Sequence, residues 1–128
     1  MDHSKFALNQ IGQIALNVAD LERATRFYRD ILGMQFLFGV PNMSFFQCGG
    51  IRLMLALPEK AEFDHPASII YYQVADIQAT FNHLKSLGVH FEEEPKLIHK
   101  TPQMELRMAF LRDSENNPLA LMHQSTPA

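Results

Sequence analysis

Val-Ala-Asp followed by an aliphatic residue occurs twice in this chain of 128 residues, at Val18 to Leu21 and again at Val74 to Ile77. Each copy opens a helical pattern that closes on Leu-Gly. From the valine to that glycine is 15 residues in the first copy (Gly33) and 14 in the second (Gly88). A repeat kept in step to within one residue constrains the chain to two copies of one supersecondary unit.

In the first copy, residues 11–18 alternate between apolar and polar closely enough to read as a strand. Asp20 follows as a helix N-cap, its carboxylate placed to accept from a free amide of the first turn. Leu21, Ala24, Phe27 and Ile31 recur at helical spacing, with Arg23, Arg26 and Arg29 off that stripe. Gly33 ends the helix, because glycine enters the left-handed region without a steric cost. Strands are then expected over 34–40, 44–48 and 51–57, joined by turns at Pro41-Asn42 and Gly49-Gly50. The second copy repeats the order. A strand spans 69–74, Asp76 is the cap, Ile77, Phe81 and Leu84 form the stripe, and Gly88 is the stop. A short strand at 89–91, an exposed loop over 92–102, and strands at 105–111 and 119–123 complete it.

The expected fold is α+β: two tandem βαβββ modules whose curved mixed sheets form a cup. Module one covers 9–57, a linker rich in proline and charge covers 58–67, and module two covers 68–124. A lone unit of about 50 residues lies near the lower limit for independent stability. The two copies are therefore expected to pack as a single domain over 9–124. On this reading the aspartate caps, the glycine stops, Phe27 and Tyr28 are structural.

The formal net charge is −3, with 11 basic and 14 acidic residues. Without a basic stripe or a polybasic run, neither nucleic acid nor a membrane surface is an expected partner. The single cysteine, Cys48, rules out an intrachain disulfide. That fits a reducing, cytoplasmic setting. Cys48 also has no cationic neighbour in sequence that would activate its thiol.

The paired units, with "IALNVADLERATRFYRDILGM", "GGIRLMLAL", "VADI…LKSLGV" and "FLRDSENNPLALM", resemble the vicinal oxygen chelate superfamily over nearly the whole chain. That superfamily holds glyoxalase I, bleomycin-resistance proteins, methylmalonyl-CoA epimerase and extradiol dioxygenases. It hosts many chemistries on one scaffold, so the resemblance speaks to fold before function. It implies one divalent metal held by His and Glu from four inner strand positions, acting as a Lewis acid.

Carried over by spacing, those positions are Gln13 (five before Val18), Met54 (four after the Gly49-Gly50 turn), Ile69 (five before Val74) and Ala120 (seven after Asp113). None is a His or Glu. No metal and no other cofactor is therefore expected, while a divalent ion held by other residues stays open. His65, His99 and His123 have no metal-motif spacing among them. His99 is the most interesting of them, in a "LIHKTP" loop expected to lean over the cup.

Strand parity sketches the inner face. Gln13, Ala15 and Asn17 share one position's parity, and Arg52, Met54 and Ala56 another's. Ile69, Tyr71 and Gln73 share the third, and Pro118, Ala120 and Met122 the fourth. The candidate ligand-binding set is Gln13, Arg52, Met54, Ile69, Tyr71, Gln73, His99, Ala120 and Met122, and no catalytic residue is singled out. An inward Arg52 needs a carboxylate, from the protein or from a ligand. The expected function is metal-free binding of a small organic molecule in the cup, as in bleomycin-resistance proteins, by a homodimer. The alternative is an enzyme of lyase, isomerase or dioxygenase type, using acid–base residues such as Tyr71, His99 or Glu105.

Overall fold

The computed structural model describes residues 8–58, 66 and 68–126. His65 and most of the expected linker lie outside these residues. β1 (Gln13–Asn17) leads into α1 (Leu21–Arg26), which runs on as a π-helical turn (Phe27–Ile31). β2 (Gln35–Val40), β3 (Met43–Cys48) and β4 (Ile51–Ala56) complete module one. Module two comprises β5 (Ile70–Gln73), α2 (Ile77–Ser86), β6 (Lys96–Lys100), β7 (Glu105–Arg112) and β8 (Pro118–Ser125).

The caps and stops act as the repeat predicts. Asp20 accepts from the Arg23 amide and Asp76 from the Ala79 amide, each at 3.0 Å. Gly33 and Gly88 sit at φ 71° and 89°, where a side chain would be strained.

Each module forms its own four-stranded mixed sheet. The orders are β1-β4-β3-β2 and β5-β8-β7-β6, with β1 parallel to β4 and β5 parallel to β8. The two-residue turn at Gly49-Gly50 pairs Cys48 with Ile51, which sets Phe45 opposite Met54 and Gln47 opposite Arg52.

One expectation fails in module two. Residues 89–91 supply only an isolated bridge, Phe91 to Leu111, and the strand expected there lies at β6 instead. β6 is an edge strand exposed along its whole length, so no apolar alternation marks it. A bulge between Leu97 and His99 further breaks its register with β7.

The helices and the helix-facing sides of the sheets enclose one buried cluster drawn from both modules. It includes Leu16, Tyr28, Phe46 and Leu55 from the first and Leu84, Leu111, Leu119 and Leu121 from the second. Two acidic residues of the β7–β8 turn link the modules further. Buried Asp113 accepts from the Tyr28 hydroxyl at 2.8 Å and from the Glu115 and Asn117 amides, also at 2.8 Å. Tyr28 is therefore more than a packing residue. Its burial, with Asp113 beside it, raises its pKa and keeps the hydroxyl a donor.

Glu115 accepts from the Ala19 and Asp20 amides at 2.7 Å and pairs with Arg23. Burial pushes its pKa up, but the Asp20 and Ala19 amides and the Arg23 guanidinium outweigh it and the net shift is down. A folded-state pKa below the unfolded one adds stability above the unfolded value, and that stability is lost as pH falls through the folded value. At pH 7, Glu115→Gln is expected to cost about 1–2 kcal/mol. The gap between it and wild type should shrink as pH drops below about 4.3. Urea titrations of both proteins at neutral and acid pH measure this.

Candidate functional site

The sheet register settles the direction of Arg52. Gln13 pairs with Arg52 and Ala15 with Met54, so their side chains share the open face of the first sheet. Arg52 Nε donates to Gln13 Oε1 at 2.9 Å, and Gln13 Nε2 lies 3.7 Å from the Met54 sulfur. The guanidinium also stands 5.1 Å from the centre of the Phe45 ring, a cation–π distance. Phe45 stacks on Phe38 with centroids 4.5 Å apart, giving this face an aromatic floor. Arg52 is exposed, and no ion pair of its own is found among the described residues. It thus points to the predicted face without the protein carboxylate that would neutralise it.

The open face of the second sheet carries another part of the expected set. Tyr71 pairs with Ala120 and Gln73 with Met122. Phe110 also pairs with Ala120, and its ring meets Tyr71 edge-on at 5.9 Å. Ala120 is fully buried in that row, so this expected lining residue serves as packing. Met122 is half-buried, and Gln73 exchanges hydrogen bonds with the Gln124 backbone at 3.3 and 3.5 Å. Ile69 lies one residue before β5 and is 43% exposed.

The structure thus gathers Gln13, Arg52 and Met54 on one sheet and Tyr71, Gln73, Ala120 and Met122 on the other. No hydrogen bond or ring contact joins the two groups among the described residues.

His99 is corrected from loop to strand. It sits exposed on β6, opposite Leu106 and beside the bulge. His123 is a satisfied structural residue, its Nδ1 2.7 Å from the Val74 carbonyl. Glu105 is held by Arg107 at 3.0 Å. Among the described residues no hydrogen bond connects Tyr71, His99 and Glu105, so they form no acid–base relay.

Sequence reading missed Phe38, Phe45 and Phe110. Phe45 was within reach, because counting back from a two-residue turn at Gly49-Gly50 places it opposite Met54.

The four positions that the resemblance assigns to a metal do not fit one. They hold a neutral amide, a thioether and two hydrocarbons, and the amide oxygen already accepts from Arg52. The Arg52 guanidinium adds a positive charge beside two of these positions, Gln13 and Met54. Among the described residues no three His, Cys, Asp or Glu side chains gather into a ligand set.

A sequence model of the Glyoxalase/Bleomycin resistance protein/Dioxygenase superfamily matches residues 10–123. Solved structures with the same fold include a lactoylglutathione lyase from Agrobacterium tumefaciens. It is 22% identical, with 91% of this chain and 95% of that one covered and a TM-score of 0.73. A superfamily member from Sphaerobacter thermophilus matches at 21% identity, 91% and 98% coverage and a TM-score of 0.74. A virulence protein from Salmonella typhimurium matches at 20% identity, 92% and 98% coverage and a TM-score of 0.74. Identities this low speak for the fold, and the match over residues 10–123 speaks for the family. The chain belongs to the glyoxalase/bleomycin resistance protein/dioxygenase superfamily.

Proposed function

We propose that this protein binds a small organic carboxylate without a metal ion, on the face formed by Arg52, Gln13, Met54 and Phe45. The observation that carries this reading is the exposed Arg52 guanidinium, held by Gln13 and the Phe45 ring, with no acid to neutralise it among the described residues. Arginine presents a rigid fork that matches a carboxylate. The aromatic and thioether floor beside it suits an apolar body on the same molecule. Of the named neighbours only the lactoylglutathione lyase carries an activity in its name. The residues at the four expected ligand positions argue against metal-dependent chemistry of that kind in this chain.

A second copy of the chain completes the pocket in this proposal. Both open faces carry apolar side chains to solvent, with Phe38 and Tyr71 each 43% exposed and Val40 45%. Such surface is covered favourably by a partner. A cytoplasmic, reducing setting agrees with Cys48 as a free thiol. Among the described residues no helix is long and apolar enough to cross a membrane.

Thermal denaturation with a panel of aromatic carboxylates and their amide counterparts tests the ligand class. The acids are expected to raise the midpoint by several degrees and the amides to leave it unchanged. An equal response to both would remove Arg52 from the account. Light scattering across a concentration series is expected to give the mass of a dimer, and a monomer at every concentration would remove the second copy.

A further inference from the structure

One cavity among the described residues takes its apolar walls from the side of the sheets opposite Arg52. It is a cleft of about 550 Å³ between the modules, in the size range of small-molecule sites. Module one contributes the segment after its π-helical turn, with Leu32 and Met34, and the end of β3 with Cys48. Module two contributes Tyr72, Leu84 and Leu121. Alternation explains the placement. Cys48 shares the core side of β3 with Phe46, and Tyr72 pairs with Leu121 on the core side of its sheet.

Tyr72 makes the cleft unusual. Its hydroxyl oxygen is buried and has no hydrogen-bond partner among the described residues. Buried hydroxyls nearly always have one, and leaving one without costs free energy. Burial, then Cys48 and Asp113 nearby, raises the tyrosine pKa, so the group stays a neutral donor at physiological pH. Burial also pushes the Cys48 thiol up and keeps it protonated.

We propose that this cleft is a second small-molecule site, separate from the Arg52 face, for an uncharged molecule with an apolar body and one carbonyl or ether oxygen. The body packs on Leu32, Met34, Leu84 and Leu121, and a small shift of these side chains lets its oxygen accept from the Tyr72 hydroxyl, which the free protein keeps closed to solvent. Asp30, Gln35, Gln47, Gln73, Thr80 and His83 also line the cleft but no lysine or arginine does, so an anionic guest would lose its water there without a counter-charge. The site does not depend on the carboxylate reading, because no residue of the Arg52 cluster lines it.

The probe is 6-propionyl-2-(dimethylamino)naphthalene, an uncharged fluorescent ketone, and the reporter is Cys48, the chain's one cysteine. Saturating probe is expected to slow modification of Cys48 by 4,4′-dithiodipyridine at least fivefold, with the half-effect at the concentration that half-saturates fluorescence. Tyr72→Phe is expected to weaken probe binding about fivefold, the loss of one neutral hydrogen bond. It is also expected to leave the thermal midpoint of the free protein equal to wild type or higher, since it removes a polar atom without a partner. Met34→Trp narrows the cleft while keeping Tyr72 and is expected to abolish Cys48 protection. Fluorescence saturation with no protection of Cys48 would put the probe elsewhere and overturn the proposal. Equal affinity in Tyr72→Phe, or a lowered midpoint, would overturn the role of the hydroxyl. Protection that rises with protein concentration alone would make a second copy the occupant and overturn the proposal as well.

Discussion

Asp113→Ala is expected to lose about 3–4 kcal/mol of folding stability, the largest single-residue effect in this account. The carboxylate is buried and accepts from the Tyr28 hydroxyl and from the Glu115 and Asn117 amides. Alanine leaves all three donors without this partner, the Tyr28 hydroxyl in a fully buried place and the two amides in a half-buried turn. It also loosens the turn that presents Glu115 to the Ala19 and Asp20 amides, so the damage crosses to module one. Asp113→Asn keeps the shape and one acceptor oxygen and should cost less than half as much. Tyr28→Phe removes only one charge-assisted bond and should cost about 1–2 kcal/mol. Urea unfolding with an unchanged slope measures all three. A loss below about 1 kcal/mol for Asp113→Ala would mean that water or a neighbour replaces the carboxylate, and that this turn is not the tie between modules.

Arg52→Ala is expected to lower affinity for an aromatic carboxylate by about 10- to 100-fold, the range for losing a hydrogen bond to a charged group. Folding stability should change by less than about 0.5 kcal/mol, because the side chain is exposed and its neutral partner Gln13 is then free to bond water. Arg52→Lys keeps the charge but not the planar fork, and should recover only part of the affinity. The split between lost binding and kept stability separates a ligand anchor from a residue that holds the sheet together.

Much of this was written in the sequence, because the signals are local. The aspartate caps, the glycine stops and the two-residue turn act over a few residues, and each works where the repeat put it. Counting in twos put Gln13, Arg52 and Met54 on one face only if Met54 held the second position, a one-residue choice that the register of β1 and β4 makes. The failures share a different cause. β6 carries no alternating pattern, since every residue in it faces solvent, and so its five residues read as loop and took His99 with them. Asp113 reads as one more polar residue in a turn. Its role depends on Tyr28, 85 positions away, and on how the modules pack. Ala120 had the right parity, but parity says nothing about the aromatic side chains of Tyr71 and Phe110 that flank it. The cleft at Tyr72 was missed for the same reason. Its walls come from both modules, and each wall alone reads as core.

The proposal to be tested is that Arg52 anchors a carboxylate without a metal ion. Calorimetric titration of the protein with an aromatic carboxylate, in buffer containing excess EDTA, tests it most directly. The account predicts saturable binding that the chelator leaves unchanged and that Arg52→Ala abolishes or weakens at least tenfold. Binding that appears only when zinc or nickel replaces the EDTA, or that survives intact in Arg52→Ala, would contradict it.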